Sequence, residues 1–269
     1  MFSSGHAFLI IISTVLILLG VLLSEKYHPP VRRLICICLG LSLLSEVIKT
    51  FSNIQILPVV TPVIENEDLI YRATGNYTPY LEAEHMPFEL CSYQIVFMFL
   101  ALIIKDDTML KRLYAFMYTT CIIGGGMGIA FSSSLIGLSG MSEIMTSTDV
   151  WRAFLFHSML IVEGIYIGRS KECDIRFGDV RWTFIFLIAL DCMTFYLNSI
   201  MATPYYKGDT LAGIGNVVNY FSSYNNPLGI PMKDKSQWVI YLILRAALAS
   251  VLIILVNLPL LKKKEVSHE

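Results

Sequence analysis

Seven apolar blocks, at about residues 7–23, 32–52, 86–104, 112–135, 151–168, 181–203 and 237–261, constrain this chain more than any other feature. A bilayer core of roughly 30 Å needs about 20 mainly apolar residues per helix, and the blocks approach or exceed that length. With 55% hydrophobic and 15% charged residues, the chain falls well below the roughly one-quarter charge of soluble domains. The expectation is an all-α fold, a polytopic helical bundle of about seven transmembrane helices forming a single transmembrane domain over residues 1–269. The first block is read as a retained helix, because no small-x-small cleavage site precedes Ser24-Glu25-Lys26.

Lys and Arg cluster on alternate connections: Lys26, Arg32 and Arg33; Lys105, Lys111 and Arg112; Arg169, Lys171, Arg176 and Arg181; and Lys262, Lys263 and Lys264. The positive-inside rule then places the N-terminus outside and the C-terminus inside, which requires an odd number of crossings. The long connections at about 53–85 and 204–236, rich in Pro, Asn, Tyr and Gly, are expected outside as lids or re-entrant segments. The sequon Asn76-Tyr77-Thr78 lies on that side. A formal net charge of -1 excludes a nucleic-acid partner resting on a basic surface. Of the six cysteines, five lie in apolar blocks and none forms a CxxC pair, so free thiols are expected and no metal or cofactor is called for. No signal for oligomeric state is present.

Polar groups inside spans are costly, so their positions carry the functional information. Cys91 lies about five residues into the third span, roughly 8 Å deep at 1.5 Å per residue, and His157 about six residues into the fifth. Both fall in the outer half at nearly one depth. His157 shares a helical stripe with Ala153, Gly164 and Gly168, small residues that let helices approach, so it should look into the bundle. Cys91 shares its face with Pro87 and Gln94, while Glu89 should point nearly the opposite way.

Glu46 and Lys49 on the second span, Asn198 on the sixth and Arg245 on the seventh gather at a similar level, with Asp191 nearer the midplane and Glu163 in the inner half as a structural acceptor. The run Gly124-Gly125-Gly126-Met127-Gly128, followed by Ser132-Ser133-Ser134, permits close packing or an irregular turn. A thiol beside an imidazole is the pairing used in acyl transfer. Cys91 would attack an ester carbonyl, His157 would carry the proton, and Gln94, Asn198, Arg245 or Glu46 would bind or orient.

The residues alone leave other readings open. Cys91 also fits as a small packing residue, and His157 as an interhelical hydrogen-bonding group. Glu46 and Lys49 fit a structural ion pair, and Arg245 a neutraliser of Glu46 or Asp191. The charged groups would equally serve a small-solute or ion transporter, and the outer loops a non-catalytic lipid-binding or sensory protein.

Three segments resemble the YwaF-type family of bacterial integral membrane proteins: His85-Met86-Pro87-Phe88-Glu89-Leu90-Cys91-Ser92, Phe154-Leu155-Phe156-His157-Ser158, and Asn219-Tyr220 with Asn226-Pro227. That family is distantly similar to eukaryotic transmembrane lipid acyltransferases and androgen-induced transmembrane hydrolases. The resemblance implies a multi-pass plasma-membrane protein whose Cys91 is the nucleophile and His157 its base. A membrane lipid, phospholipid or acyl ester, would be the substrate, met from the outer leaflet. One departure stands out: Glu89 occupies the place where the bacterial pattern has His.

Overall fold

A computed structural model of the protein describes residues 4–65, 68–82, 85–86, 89–132, 135, 140–207, 210–215 and 234–262, the side chains of 62–65, 68–71, 203–207, 210–215 and 262 excepted. In chain order the elements are α1 (Ser4–Tyr27), α2 (Val31–Asn53), β1 (Gln55–Glu65), β2 (Asp68–Tyr80), α3 (Leu90–Ile103) and α4 (Asp107–Ala130). They continue with α5 (Met141–Thr146), α6 (Thr148–Arg169), α7 (Val180–Met201), β3 (Thr203–Lys207), β4 (Thr210–Gly215) and α8 (Lys235–Lys262). The protein is an all-α polytopic bundle. Among the described residues six helices, all but α3 and α5, are long and apolar enough to cross a membrane. The apolar α3, of 14 residues, reaches only about 21 Å at 1.5 Å per residue. By length, then, the third expected span falls short of a full crossing.

Local chemistry explains where the boundaries moved. Glu89 is extended, with φ -80 and ψ 155, so α3 begins at Leu90 rather than at residue 86. Asp106 caps α4 by accepting a 2.6 Å hydrogen bond from the Met109 backbone N–H, which draws Asp107 through Lys111 into the helix ahead of the expected start at 112. Ser147 caps α6 in the same way from Val150, at 3.4 Å, so that helix begins at Thr148 rather than 151. The glycine run stays helical to Ala130, and close packing is the use the fold makes of it. Pro87, Ser133, Ser134, Asn219, Tyr220, Asn226, Pro227, Lys263 and Lys264 lie outside the described residues.

The first long connection is an antiparallel hairpin, β1 with β2, rather than a re-entrant segment, and the second contributes the shorter hairpin of β3 with β4. The stretch from Gln55 to Tyr80 is rich in Val, Ile, Thr and Tyr without a helical repeat, which favours strands. Its Pro58 and Pro62 are tolerated because each strand of a two-stranded sheet keeps one free edge. The ladder shifts register between Pro58 and Val60. Asn76 of the sequon is exposed on β2.

Four helices close into a ring in which neighbours run antiparallel. α2 meets α3 through Arg32 donating to the Ile104 carbonyl at 2.9 Å and Ser92 donating to Glu46 at 3.5 Å. α3 meets α4 through Gln94 donating to Thr120 at 3.0 Å and through Phe97 on Phe116, with ring centroids 4.6 Å apart. α6 closes the ring against α2 through Arg152 donating to Ser45 at 3.5 Å and Asn53 donating to Asp149 at 3.4 Å. α4 and α6 approach most closely, because a β-carbon at Gly125 would lie 2.7 Å from the His157 carbonyl and one at Gly164 3.0 Å from that of Tyr118. α1 runs parallel to α6, with Gly20 against Val162 and Arg169 paired with Glu25.

α7 and α8 cover the other side of α4, where Thr119 accepts from Asn257 at 3.0 Å and from Thr183 at 3.5 Å. Serving both groups of helices, α4 is buried without interruption from Leu113 to Cys121. The hairpins and α5 sit at one end of the bundle, hereafter the hairpin end. The basic connections gather at the other, where Lys111 bonds Asp174 at 3.0 Å and holds that carboxyl below its ordinary range.

Arg245 of α8 pairs with Asp191 of α7, one of the two acids expected for it. Asp191 is the twelfth of 22 residues in α7, so the pair lies near mid-depth, where a lone charge is expensive. Either Asp191→Asn or Arg245→Gln should lower the melting temperature in detergent more than the double substitution does, because each single change strands the other charge. A double variant less stable than both singles would contradict this account of the pair.

Candidate functional site

The hairpin end of the ring holds the polar cluster. Because α3 starts at Leu90, Cys91 is its second residue, with a backbone N–H among those left free by helix geometry. The thiol is half-buried and packs against the core beside Leu90. Lys49 of α2 and Glu89 both lie within electrostatic reach of it. The rotation expected for Glu89 does not apply, since an extended N-cap residue does not follow the helical 100° step, and its charge stays near the thiol. Behind Cys91, Glu46 accepts from Ser92 and pairs with Lys49, whose relative exposure is 8%.

His157 enters from α6. Its Nδ1 lies 2.7 Å from the Ala153 carbonyl. A carbonyl only accepts, so Nδ1 donates, and in the neutral ring the lone pair sits on Nε2. That edge of the imidazole rests on Gly128 of α4: a β-carbon there would come within 2.6 Å of Cε1 and closer still to Nε2 and Cδ2. One turn away on α4, Leu90 reaches Gly124, its Cδ2 4.0 Å from where a β-carbon would stand. The thiol-bearing helix and the imidazole therefore meet the same stretch of α4. Cys91 and His157 do not hydrogen-bond each other; they stand on non-adjacent helices of the ring.

Sequence reasoning passed over two residues of this cluster, Asp149 and Arg152. The guanidinium lies 3.5 Å from Asp149, donates to Ser45, and is within electrostatic reach of His157. Their signal was an acid and a base at i,i+3 across the edge of the fifth block. The other predicted residues are distributed differently. Gln94 is fully buried and binds α4, donating to Thr120 and accepting from the Cys121 thiol at 3.4 Å rather than facing Cys91. Asn198, buried on α7, and Arg245 on α8 belong to helices outside the ring. Among the described residues no group of three or more His, Cys, Asp or Glu could hold a metal ion.

The site thus combines a half-buried thiol, an imidazole of defined tautomer, and two cations, Lys49 and Arg152, each held in place by an ion pair with an acid. Such a set suits a nucleophile that works at an apolar boundary beside an anionic or developing negative group. No curated protein and no solved structure matches the chain. The profile of the TMEM164 family matches residues 1–257, which takes in every residue of the cluster, and the chain belongs to the TMEM164 family.

Proposed function

We propose that this membrane protein is a thiol-dependent acyltransferase or hydrolase acting on a lipid acyl ester. The observation that carries the reading is the imidazole: anchored at Nδ1 by Ala153, it keeps its basic nitrogen at the edge resting on Gly128, in the stretch of α4 that the Cys91 helix also contacts. The resemblance of the Cys91 and His157 segments to the YwaF-type pattern, and through it to Cys/His lipid acyltransferases, supports the same roles. With the basic end assigned to the cytoplasm, the cluster belongs to the outer-leaflet end of the bundle.

In this mechanism His157 Nε2 takes the Cys91 proton, directly or through one water, as the sulfur attacks the ester carbonyl. The carbonyl π electrons pass to oxygen and return as the C–O bond to the lipid alcohol breaks. The imidazolium protonates the departing alkoxide, leaving an acyl thioester on Cys91. Water, or a second lipid alcohol deprotonated by His157, then attacks the thioester and regenerates the thiol. Lys49 and Arg152 supply positive potential to the anionic intermediate. The transporter reading is weaker because the ring is closed beyond the cluster: Met98, Phe116, Met117 and Cys121 are all at 0% exposure.

The test is to trap the intermediate. Full-length protein in vesicles of phospholipid with isotopically labelled acyl chains is quenched in acid and digested. Labelled acyl mass should appear on the Cys91 peptide, be released by neutral hydroxylamine as a thioester is, and be missing from Cys91→Ala. Label that persists in Cys91→Ala, or no acyl-enzyme while ester lipid is being consumed, would overturn the assignment.

A further inference from the structure

The ring holds a second ionisable group that the acyl chemistry does not use. Glu163 of α6 lies six residues beyond His157, about 9 Å further along the helix axis at 1.5 Å per residue. It is at 0% exposure, and among the described residues neither carboxylate oxygen has a hydrogen-bond partner. The two helices that flank α6 in the ring, α2 and α4, supply its ionisable neighbours. Cys38 of α2 and Cys121 of α4 are both within electrostatic reach of it, and Cys121 donates its thiol proton to Gln94 of α3. Gly164 sets the depth on α6, since a β-carbon there would lie 3.1 Å from the Cys121 β-carbon. α1, on the other side of α6, brings no ionisable side chain to this level: Gly20 lies against Val162, and Glu25 is committed to Arg169 near the basic end.

The ionisable groups within electrostatic reach of Glu163 are therefore thiols, and among the described residues no cation pairs with it. Arg152, Lys49 and Arg245 are each paired with another acid. An ionised carboxylate without counter-ion or hydrogen bond is among the most expensive things to place in a membrane interior, whereas the neutral acid costs no more than a polar group. One ligand makes this arrangement tolerable without any space to hold it.

We propose that Glu163 is a proton-binding site at the centre of the four-helix ring, loaded with one proton at neutral pH. The proton neutralises the acid and leaves α2, α3, α4 and α6 packed around it. Its removal places a bare charge between two thiols. Since an opened ring lets the carboxyl ionise in water, the open form binds fewer protons, and rising pH must favour opening. The site and the acyl chemistry are independent, and either stands if the other fails.

The test reads the proton itself. Infrared spectra of the full-length protein in nanodiscs at neutral pH are recorded for wild type and Glu163→Gln, and their difference taken. The expected result is the carbonyl stretch of a neutral carboxylic acid in wild type, missing from the variant. Paired carboxylate bands in its place would overturn the proposal. Should Glu163→Gln not fold, Glu163→Asp serves, because a protonated carboxyl there keeps the neutral-acid band at a shifted frequency. A second readout is maleimide labelling of Cys121 followed by mass spectrometry. It should rise several-fold with alkaline pH in wild type beyond the rise in Glu163→Gln; equal rises in both would refute the coupling to packing.

Discussion

On the proposed mechanism Cys91→Ala should abolish turnover of ester lipid, and His157→Ala should lower it by about 10²- to 10⁴-fold, the usual contribution of a general base. Both effects are expected on kcat with the protein still folded. Cys91 is half-buried at the start of α3, and its sulfur is held by the backbone N–H groups of Cys91 and Ser92 rather than by another side chain, so trimming it to a methyl group removes little packing. His157 contributes one hydrogen bond, to its own helix at Ala153. The measurement is release or transfer of a labelled acyl chain from phospholipid in vesicles, with helical content and melting temperature followed on the same samples. If the two residues act as a unit, the double variant is no slower than Cys91→Ala alone. Full activity in either single variant would end the assignment of that residue. A loss of rate that tracks a loss of helical signal would mark it as structural.

The bundle was legible because hydrocarbon imposes one requirement, a run of apolar residues per helix, and composition alone satisfies it. Helix ends were less legible, since they depend on individual caps. Asp106 and Ser147 each add several residues to a helix through one hydrogen bond, while the extended Glu89 holds the start of α3 back to Leu90. The same local event decided the environment of Cys91. A helical wheel turned Glu89 away from the thiol, but a wheel holds only inside a helix, and Glu89 stands just before one.

Helical periodicity did place His157 on the face of Ala153, Gly164 and Gly168, three residues that the fold buries. It gave no means of pairing faces across helices. Gln94 was grouped with Cys91, three residues away and on the same face, yet its amide is taken up by Thr120 and Cys121, which no pattern in α3 announces. Arg245 and Asn198 shared a depth with the site but not a helix of the ring, because depth is one coordinate and the order of helices around the bundle supplies the others.

Gly128→Ala should cost as much activity as removing the imidazole, about 10²-fold or more, although Gly128 has no chemistry of its own. A β-carbon at this position would overlap the His157 ring at Nε2, Cδ2 and Cε1. Relief by separating the helices is blocked one turn along, where Gly125 already brings the two backbones together against the His157 carbonyl. The ring must therefore swing off Gly128, losing its 2.7 Å anchor to Ala153 and taking the basic nitrogen away from the thiol helix. Overpacking of this kind also costs about 1–3 kcal/mol of stability. Gly126→Ala is the control, since among the described residues nothing lies within 4 Å of a β-carbon there. It should keep full activity and, by helix propensity, gain up to about 1 kcal/mol. The decisive comparison is made in the His157→Ala background. With the imidazole gone the added methyl group has room, so Gly128→Ala should bring no further loss of rate and most of the lost stability should return. If instead Gly128→Ala lowers stability by the same amount with and without the imidazole, the glycine serves only the approach of α4 to α6, and its link to the reacting base is wrong.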